Sequence, residues 1–334
     1  MLPNSLLVHQ VHCVMSNVFR GTGITVEMVD NIETQEMPSV VIGTPLKVLN
    51  KFKVYNMNFK VNVFENVRYL VLDEADQLVE ETEEASMREF LKLTRKRVKT
   101  VLSAATVSTA GKLSTAKTIE RLFKRIQVVK TDKVHSLPSH IDTEFVYCAD
   151  YEQKVQTVLD VLQQVEPGKR ALIFCGSVES SAKLADLLKQ MNPRLDVGVV
   201  NRNVELPQQL AVLDIDRGNR FIVCTDSLAR GLDLGDVSLT IQFDFPTSVL
   251  HYIHRTGRSG RNMQLSKTVL LWTDDNREFY HLLYEHRNNL ELLFSRKRGL
   301  RKKIKRGIAI SPIEHKDESS TSQGTDNTFE QHTT

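Results

Sequence analysis

The sequence predicts an α/β protein built from parallel β-sheets with helices on both faces. In the second half of the chain, short apolar segments alternate with amphipathic segments of helical length, which is the pattern of repeated β-α units. Strand segments such as 171–175 are continuously apolar, as expected of strands buried on both faces. The first half repeats the alternation in shorter form, and 334 residues suffice for two domains.

The predicted elements follow from this periodicity, with Pro167 and Gly168 marking a turn between helix and strand. In the first half we predict a helix at 6–17 and strands at 25–29, 39–42, 68–72 and 100–103. In the second half we predict strands at 144–148, 171–175, 196–200, 221–224, 237–243 and 268–272, and helices at 152–164, 178–190, 206–216, 249–258 and from 276.

The chain divides into four predicted regions: a first domain at 1–130, a linker at 131–142, a second domain at 143–290, and a basic segment with a tail at 291–334. The linker prediction rests on a polar, Pro-bearing stretch. From residue 311 onward apolar residues are few, so we expect disorder there.

Charge is concentrated near the end of the chain. Residues 295–306 contain eight Lys or Arg and no acid, so the rest of a chain of net charge +3 carries about −5. Such a block favours phosphate-rich partners through counterion release. A nuclear address and a merely solvated segment are the alternatives.

Cysteine usage and hydropathy indicate a reducing compartment and no membrane association. The four cysteines lack metal-binding spacing, and Cys148, Cys175 and Cys224 lie in apolar strand-like segments typical of reduced core thiols. No apolar stretch approaches the roughly 20 residues that span a bilayer. We also expect no signal peptide.

Three carboxylates follow the apolar segment 67–72, at Asp73, Glu74 and Asp76. Open α/β sheets bind ligands at the carboxyl ends of their strands, where such acids suit a hydrated Mg²⁺ that carries nucleotide phosphates. Further glutamates follow at 80–84, so a solvated acidic turn is the alternative.

Two later motifs give the acids a context. They read T-D-S-L-A-R-G-L-D at 225–233 and H-R-T-G-R-S-G-R at 254–261. An acidic magnesium-type site with repeated arginines indicates phosphoryl transfer completed by arginine fingers, although a basic helix face is the simpler alternative. No G-x-x-x-x-G-K-[ST] phosphate loop occurs in the chain.

In this order and spacing, the motifs resemble those of the DEAD-box RNA helicases, a family with two RecA-like domains. The resemblance runs from Pro3 to about Leu293. It implies tandem RecA-like parallel-sheet domains, ATP and Mg²⁺ as cofactors, and a monomeric ATP-dependent RNA helicase or RNP-remodelling ATPase. Such an enzyme separates RNA duplexes locally, in ribosome assembly or RNA processing, with ribosomal or RNP proteins as possible partners.

The resemblance also assigns residue roles. Asp73 would hold Mg²⁺ through water, Glu74 would be the general base, and Arg258 and Arg261 would be the arginine fingers. Further cofactor contacts are expected from Asp76, Asp233 (to the ribose), His254 and Arg255, of which His254 and Arg255 would also tie their element to the acidic motif and nearby loops. Thr106 and Asp76 would couple the domains. Sequence-independent RNA backbone contacts are expected from Thr44, Pro45, Gly176, Ser177, Thr225, Arg230 and Gly231.

The chain departs from the family pattern at several positions. The family's adenine-reading element and phosphate loop would precede Met1, so the first RecA-like domain is expected to lack its N-terminal strands and P-loop. Unpaired ladder groups on the acidic strand would then cost roughly 1–3 kcal/mol each when buried. Residues that differ from the family pattern are Asn4, Ser5, Leu6, Leu46, Lys47, Ala104, Gly176 and Gln208.

These departures leave alternatives open. We favour an incomplete product of a longer reading frame over a degenerate relative. The alternative function is a catalytically inactive RNA-binding relative that uses the second domain and the basic tail, and a protein-interaction scaffold is a weaker third. The resemblance at Pro3 and at the basic end suggests the mitochondrial members that assist large-ribosomal-subunit assembly, with a nuclear or nucleolar location as the alternative.

Overall fold

The computed structural model describes residues 1–33, 36–59, 62–79, 81–94, 98–106, 115–123, 126–130, 136–228, 231–260, 263–290 and 293. We call the part up to residue 130 the first lobe and the part from residue 136 the second lobe. Among these residues, no helix has the length and apolarity needed to cross a membrane.

The first lobe contains two separate pairs of parallel strands, β1 with β2 and β3 with β4. Five helices accompany them. In chain order the elements are α1 (Ser5–Val18), β1 (Val26–Met28), β2 (Val40–Ile42), α2 (Pro45–Phe59), β3 (Tyr69–Leu72), α3 (Ala75–Leu78), α4 (Glu81–Leu93), β4 (Lys99–Leu102) and α5 (Thr115–Leu122).

The second lobe is one six-stranded sheet in the order β5-β10-β9-β6-β8-β7, with every pair parallel. The predicted parallel α/β architecture is therefore confirmed. The elements are β5 (Ile141–Tyr147), α6 (Tyr151–Leu162), β6 (Arg170–Phe174), α7 (Val178–Met191), β7 (Val197–Val200), α8 (Leu206–Leu213), β8 (Phe221–Cys224), β9 (Val237–Gln242), α9 (Val249–Thr256), β10 (Ser266–Trp272) and α10 (Arg277–Glu285).

Several predicted boundaries need correction. Strand β5 already begins at Ile141, so the end of the predicted linker lies in the sheet. The helix predicted at 206–216 ends at Leu213, because the Asp214 carboxylate accepts hydrogen bonds from the backbone N–H groups of Asp216 and Arg217, both at 2.9 Å. These bonds form a turn in place of further helix. The predicted linker residues 131–135 and the tail from 294 lie outside the described residues.

Both faces of the second sheet are buried, but in different cores. One face packs against α6 and α7, with Val158, Leu184 and Leu188 fully buried. The other face packs against α8 and also against α1 of the first lobe, where Leu6 and Leu7 join the same cluster. The two lobes therefore share one apolar cluster, although polar residues at 131–140 separate them in sequence.

Residues 1 and 2 lie between the two strand pairs of the first lobe. The Met1 amino group donates to the Val71 carbonyl at 2.6 Å, the Asp73 N–H donates to the Met1 carbonyl at 3.2 Å, and the Leu2 N–H donates to the Gly43 carbonyl at 3.1 Å. The expectation of bare ladder groups on the acidic strand is therefore wrong at Val71 and Asp73. One face of the β3–β4 pair is nevertheless exposed, at Tyr69 (66%), Val71 (53%) and Val101 (56%).

The close packing of β7 gives a stability prediction. A Cβ atom on Gly198 would lie 2.5 Å from Asn219 Oδ1 and 2.6 Å from Val212 Cγ1, so Gly198→Ala should destabilise the second lobe by about 1–3 kcal/mol. The measurement is the melting temperature. As a control in the same lobe, Gly176→Ala places its Cβ no closer than 3.5 Å to any neighbour; an equal loss in both variants would contradict the packing argument.

The cysteines give a second prediction. Cys13 is exposed, whereas Cys148, Cys175 and Cys224 are buried. Burial raises the pKa of the Cys175 thiol to about 12 and that of Cys224 well above its ordinary value, and it also raises the pKa of Cys148. Because the thiolate is the reactive form, the native protein at pH 8 should incorporate one maleimide per chain by mass spectrometry, and four after denaturation. Rapid native labelling of two or more sites would disprove this.

Candidate active site

The acidic turn directly follows β3 (Tyr69–Leu72). Ser103 Oγ, at the end of the neighbouring strand β4, donates to Asp73 Oδ1 at 2.8 Å, and the Glu74 N–H donates to the same oxygen at 3.1 Å. Asp73 is half-buried. In the described part of the chain, no three His, Cys, Asp or Glu side chains converge as a direct metal-binding group.

Glu74 adopts a left-handed backbone conformation, with φ 52° and ψ 46°. This region is uncommon for a residue with a side chain, and such strain often accompanies functional sites. The turn brings Glu74 to the second lobe: a Cβ atom built on Gly231 would lie 3.4 Å from Glu74 Oε1. The candidate base therefore lies at the boundary between the lobes.

A buried polar contact joins the lobes beside this turn. Thr106 Oγ1 donates to Asp76 Oδ2 at 2.6 Å, and His254 Nε2 lies 2.9 Å from the same hydroxyl oxygen. Because the hydroxyl has one hydrogen, which it gives to Asp76, His254 donates to Thr106 through Nε2–H. All three residues are at most 4% exposed. The structure thus brings together Asp76, Thr106 and His254, which the sequence analysis assigned to coupling and cofactor contacts.

Arg255 binds within its own lobe. Its Nε and Nη2 donate to the two carboxylate oxygens of Asp226 at 2.6 and 3.0 Å, and its Nη1 donates to the Asp244 carbonyl at 2.8 Å. Arg255 is only 1% exposed. Its cofactor contact stays a prediction, while its predicted role of tying neighbouring loops agrees with these bonds.

Arg258 reaches the segment that carries the predicted ribose contact. Its Nη1 donates to the Leu232 carbonyl at 3.3 Å, so the guanidinium lies beside the same segment that Glu74 approaches at Gly231. The next residue, Asp233, is exposed. Glu74 and Arg258 therefore both contact the segment 231–233, which contains Asp233. The other predicted finger, Arg261, and the predicted RNA contact Arg230 lie outside the described residues.

Three predicted RNA-binding residues of the second lobe, Gly176, Ser177 and Thr225, follow the carboxyl ends of its strands, whereas a fourth, Gly231, lies in the segment 231–233. Gly176 and Ser177 are exposed at the start of α7, where the Ser177 hydroxyl accepts from the Ser180 N–H at 3.0 Å. The N-terminus of a helix this long attracts phosphate through its unpaired N–H groups and its dipole. Thr225, which follows β8, contacts Ser227 Oγ through its own hydroxyl at 3.1 Å.

The two predicted RNA-binding residues of the first lobe begin a helix. Thr44 is half-buried and its carbonyl accepts from the Val48 N–H at 3.0 Å, while Pro45 is the first residue of α2. Proline suits this position because its missing N–H would have no partner within the helix.

Four polar residues that the sequence analysis left without a role also shape the site: Gln10, Ser103, Asp226 and Asp244. Asp244 Oδ2 accepts from the Gly176 N–H at 2.8 Å and from Ser180 Oγ at 2.6 Å, so it fixes the start of α7. Ser103 follows the last residue of β4, which is paired with the residue before Asp73, and strand pairing is the signal that could have identified it. For Gln10 and Asp244, no sequence signal indicated the partner.

The buried hydroxyl of Thr106 yields a testable prediction. Thr106→Val keeps the shape but leaves Asp76 and His254 without the group between them, which should cost roughly 1–3 kcal/mol of stability. The measurement is thermal or urea unfolding. Thr157→Val is the matched control because Thr157 is only half-buried and its contacts are local, to the Gln153 carbonyl of its own helix at 2.8 Å and to Cys148 Sγ at 3.8 Å. If Thr106→Val changes stability no more than the control, the interlobe contact is not formed.

Two family models match the chain. The DEAD/DEAH box helicase model matches residues 1–113, and the helicase conserved C-terminal domain model matches residues 153–263. Among solved structures, S. cerevisiae Dbp5 bound to RNA and ADP BeF3 superposes with a TM-score of 0.73 at 21% identity, covering 88% of this chain and 74% of Dbp5. Mss116p bound to ssRNA and AMP-PNP gives 0.69 at 19% identity, covering 91% of this chain and 65% of Mss116p. These similarities show the fold.

Curated relatives are similar in sequence as well. DEAD-box ATP-dependent RNA helicase 39 of Arabidopsis thaliana is 30% identical over 237 residues, which are 66% of this chain and 36% of the relative. ATP-dependent RNA helicase FAL1 of Candida albicans is 32% identical over 244 residues, which are 72% of this chain and 58% of the relative. This chain thus spans only part of their length. From the two family models and these relatives, the chain belongs to the DEAD-box family of ATP-dependent RNA helicases.

Proposed function

We propose that this protein acts in ATP-dependent remodelling of RNA, in which the two lobes close on nucleotide and RNA and separate short duplexes locally. The observation that carries the proposal is the meeting of Glu74 and Arg258 at the segment 231–233 of the second lobe. One lobe supplies a carboxylate and the other a guanidinium, and both contact the same segment. This arrangement suits hydrolysis of a nucleoside triphosphate bound between them. Family membership and the names of the relatives support the same function.

In this proposal, individual residues of the chain have distinct roles in nucleotide hydrolysis. Glu74 would orient and deprotonate the attacking water, and Arg258 would stabilise charge on the transferred phosphoryl group. A magnesium ion, held through water at Asp73, would neutralise phosphate charge. The contact among Asp76, Thr106 and His254 would make the acidic turn sensitive to the position of the second lobe, because His254 of that lobe bonds the same Thr106 hydroxyl that donates to Asp76.

RNA would bind along the exposed carboxyl ends of the strands in the second lobe, at Gly176, Ser177 and Thr225, and at Thr44 and Pro45 in the first lobe. Contacts from backbone N–H groups and helix N-termini favour phosphate recognition without base readout. The eight positive charges at 295–306 would add a salt-dependent contribution.

A second candidate function is RNA binding without catalysis. The comparisons do not favour it, since the relatives that the chain matches are named as ATP-dependent RNA helicases. The two candidates differ in nucleotide dependence. RNA-stimulated phosphate release from ATP supports the enzyme, whereas salt-sensitive RNA binding that ATP leaves unchanged supports the binder.

For the biological setting we propose ribosome assembly, with mitochondria as the site of action and the nucleolus as the alternative. The support is the resemblance at Pro3 and the basic segment at 295–306. Imaging of the tagged protein with markers for both compartments tests the location, and co-sedimentation with ribosomal precursor particles tests the role.

The assigned roles predict two separable defects. In a preparation that hydrolyses ATP, Glu74→Gln should lower turnover by about 10²–10⁴-fold, and Arg258→Ala by about 10³-fold or more. RNA affinity should stay within about threefold of the unaltered protein in both variants, because neither side chain is itself assigned an RNA contact and, of the described residues that are, only Gly231 lies beside them.

Matched controls are available on the surface. Glu89→Gln removes an exposed pair with Lys53, and Arg277→Ala removes an exposed pair with Asp274, so neither control should alter turnover by more than about twofold, as exposed pairs contribute little. Turnover of Glu74→Gln at the level of its control would exclude the general-base role. Parallel loss of RNA affinity and turnover in Arg258→Ala would exclude the finger role.

A further inference from the structure

We propose that Gln10, on α1 of the first lobe, is a positioning residue that fixes the nucleotide-facing segment 231–233 of the second lobe. The inference rests on the proposed function for its consequence on nucleotide binding, but the contact itself stands on geometry. Gln10 is half-buried and lies 223 positions from its partner in the sequence.

The Gln10 amide uses both of its hydrogen-bonding functions on one backbone residue. Its Nε2 donates to the Asp233 carbonyl at 2.9 Å, and its Oε1 accepts from the Asp233 N–H at 2.8 Å. Two opposed bonds from one planar amide fix both the distance and the orientation of the peptide groups that they join. A carboxylate can make only the second bond, and an aliphatic side chain makes neither.

The segment that Gln10 grips is the one that meets the other site residues. The Leu232 carbonyl, one residue before Asp233, accepts from Arg258 at 3.3 Å. Gly231 has a φ of +68°, and a Cβ there would lie 2.7 Å from Leu7 Cδ2 and 3.4 Å from Glu74 Oε1. The segment is therefore in contact with α1, with the acidic turn and with Arg258. A shift of Asp233 would change the distances of the segment to all three.

Helix α1 is itself held firmly enough to act as a reference. Leu6 and Leu7 of α1 are at most 5% exposed, and they belong to the apolar cluster that includes Leu228, Leu232 and Leu234 of the second lobe. Apolar contacts hold the helix near the segment without specifying its register, because they are non-directional. The Gln10 amide adds the directional contact that selects one placement.

The experiment compares Gln10→Met, which keeps the length and loses both bonds, with Gln10→Glu, which keeps the acceptor and loses the donor. Gln156→Met is the matched control: Gln156 lies exposed on α6 and donates only to Asp160, one turn away in the sequence. Melting temperature and circular dichroism establish that each variant is folded.

Hydrogen–deuterium exchange at residues 231–233, without ligands, is the first readout. Gln10→Met should speed exchange of the Asp233 N–H at least tenfold and also speed exchange at its neighbours in the segment. Gln10→Glu should leave the Asp233 N–H largely protected, because the carboxylate still accepts its bond. Unchanged exchange in Gln10→Met, or an equal change in Gln156→Met, would overturn the inference.

Binding of fluorescent ADP and of a single-stranded RNA oligonucleotide is the second readout. Both Gln10 variants should bind ADP about tenfold more weakly and RNA within twofold of the unaltered protein, since Gly231 is the one described residue assigned to RNA that lies in the segment 231–233. A parallel loss of both affinities would indicate general loosening and refute the positioning role. If the unaltered protein binds no ADP, the proposed function fails, and the exchange result alone decides the role of Gln10.

Discussion

The apolar cluster shared by the two lobes is the contact on which the rest of the arrangement depends. Leu6 and Leu7 on α1 lie in one core with Leu232 and Leu234 of the second lobe. Burying side chains of this size favours association by roughly 1.5–3 kcal/mol each. Every polar contact across the boundary is short-range, so it can form only where this packing has already brought the lobes together. The polar contacts of the candidate site thus depend on the apolar packing between the lobes.

Polar contacts then give that interface its specificity. The contact among Asp76, Thr106 and His254 is buried, and a displaced second lobe would break the hydrogen bond between His254 and Thr106, which is costly in a low-dielectric interior. The Gln10 amide acts on the other side of the Glu74 turn. Together they restrict both the distance between the lobes and the orientation of the segment 231–233.

The second lobe could be predicted well from the sequence because its strands are continuously apolar and its helices are amphipathic. Strand β6, buried along its whole length, and helix α7, with a Ser177 N-cap, are examples. In the first lobe the sequence analysis missed α2, α3, α4 and α5. For α2, buried Val48, Leu49 and Phe52 carry the helical period, but polar residues lie between them and mask the signal.

The site was predicted where motifs carry it and was missed where the partner is backbone or lies far away in sequence. Asp76, Thr106 and His254 meet as the motif resemblance implied. The bonds of Arg255 to the Asp226 carboxylate and the Asp244 carbonyl agree with its assignment to neighbouring loops, while its cofactor contact stays a prediction. Gln10 matches a family motif together with Pro3 and Leu7, but its partner Asp233 could not be identified from the sequence, since a backbone partner leaves no residue-type pattern to read.

The left-handed backbone at Glu74 has a consequence for how this turn can vary. For most side chains that conformation costs roughly 1–2 kcal/mol, whereas glycine adopts it without penalty. A glycine here would relieve the backbone strain and raise the free energy of unfolding, but it would remove the carboxylate from the lobe boundary. The protein therefore has an acid at a position whose backbone conformation glycine would adopt at a lower free-energy cost, so the carboxylate at the lobe boundary is kept at some expense of stability.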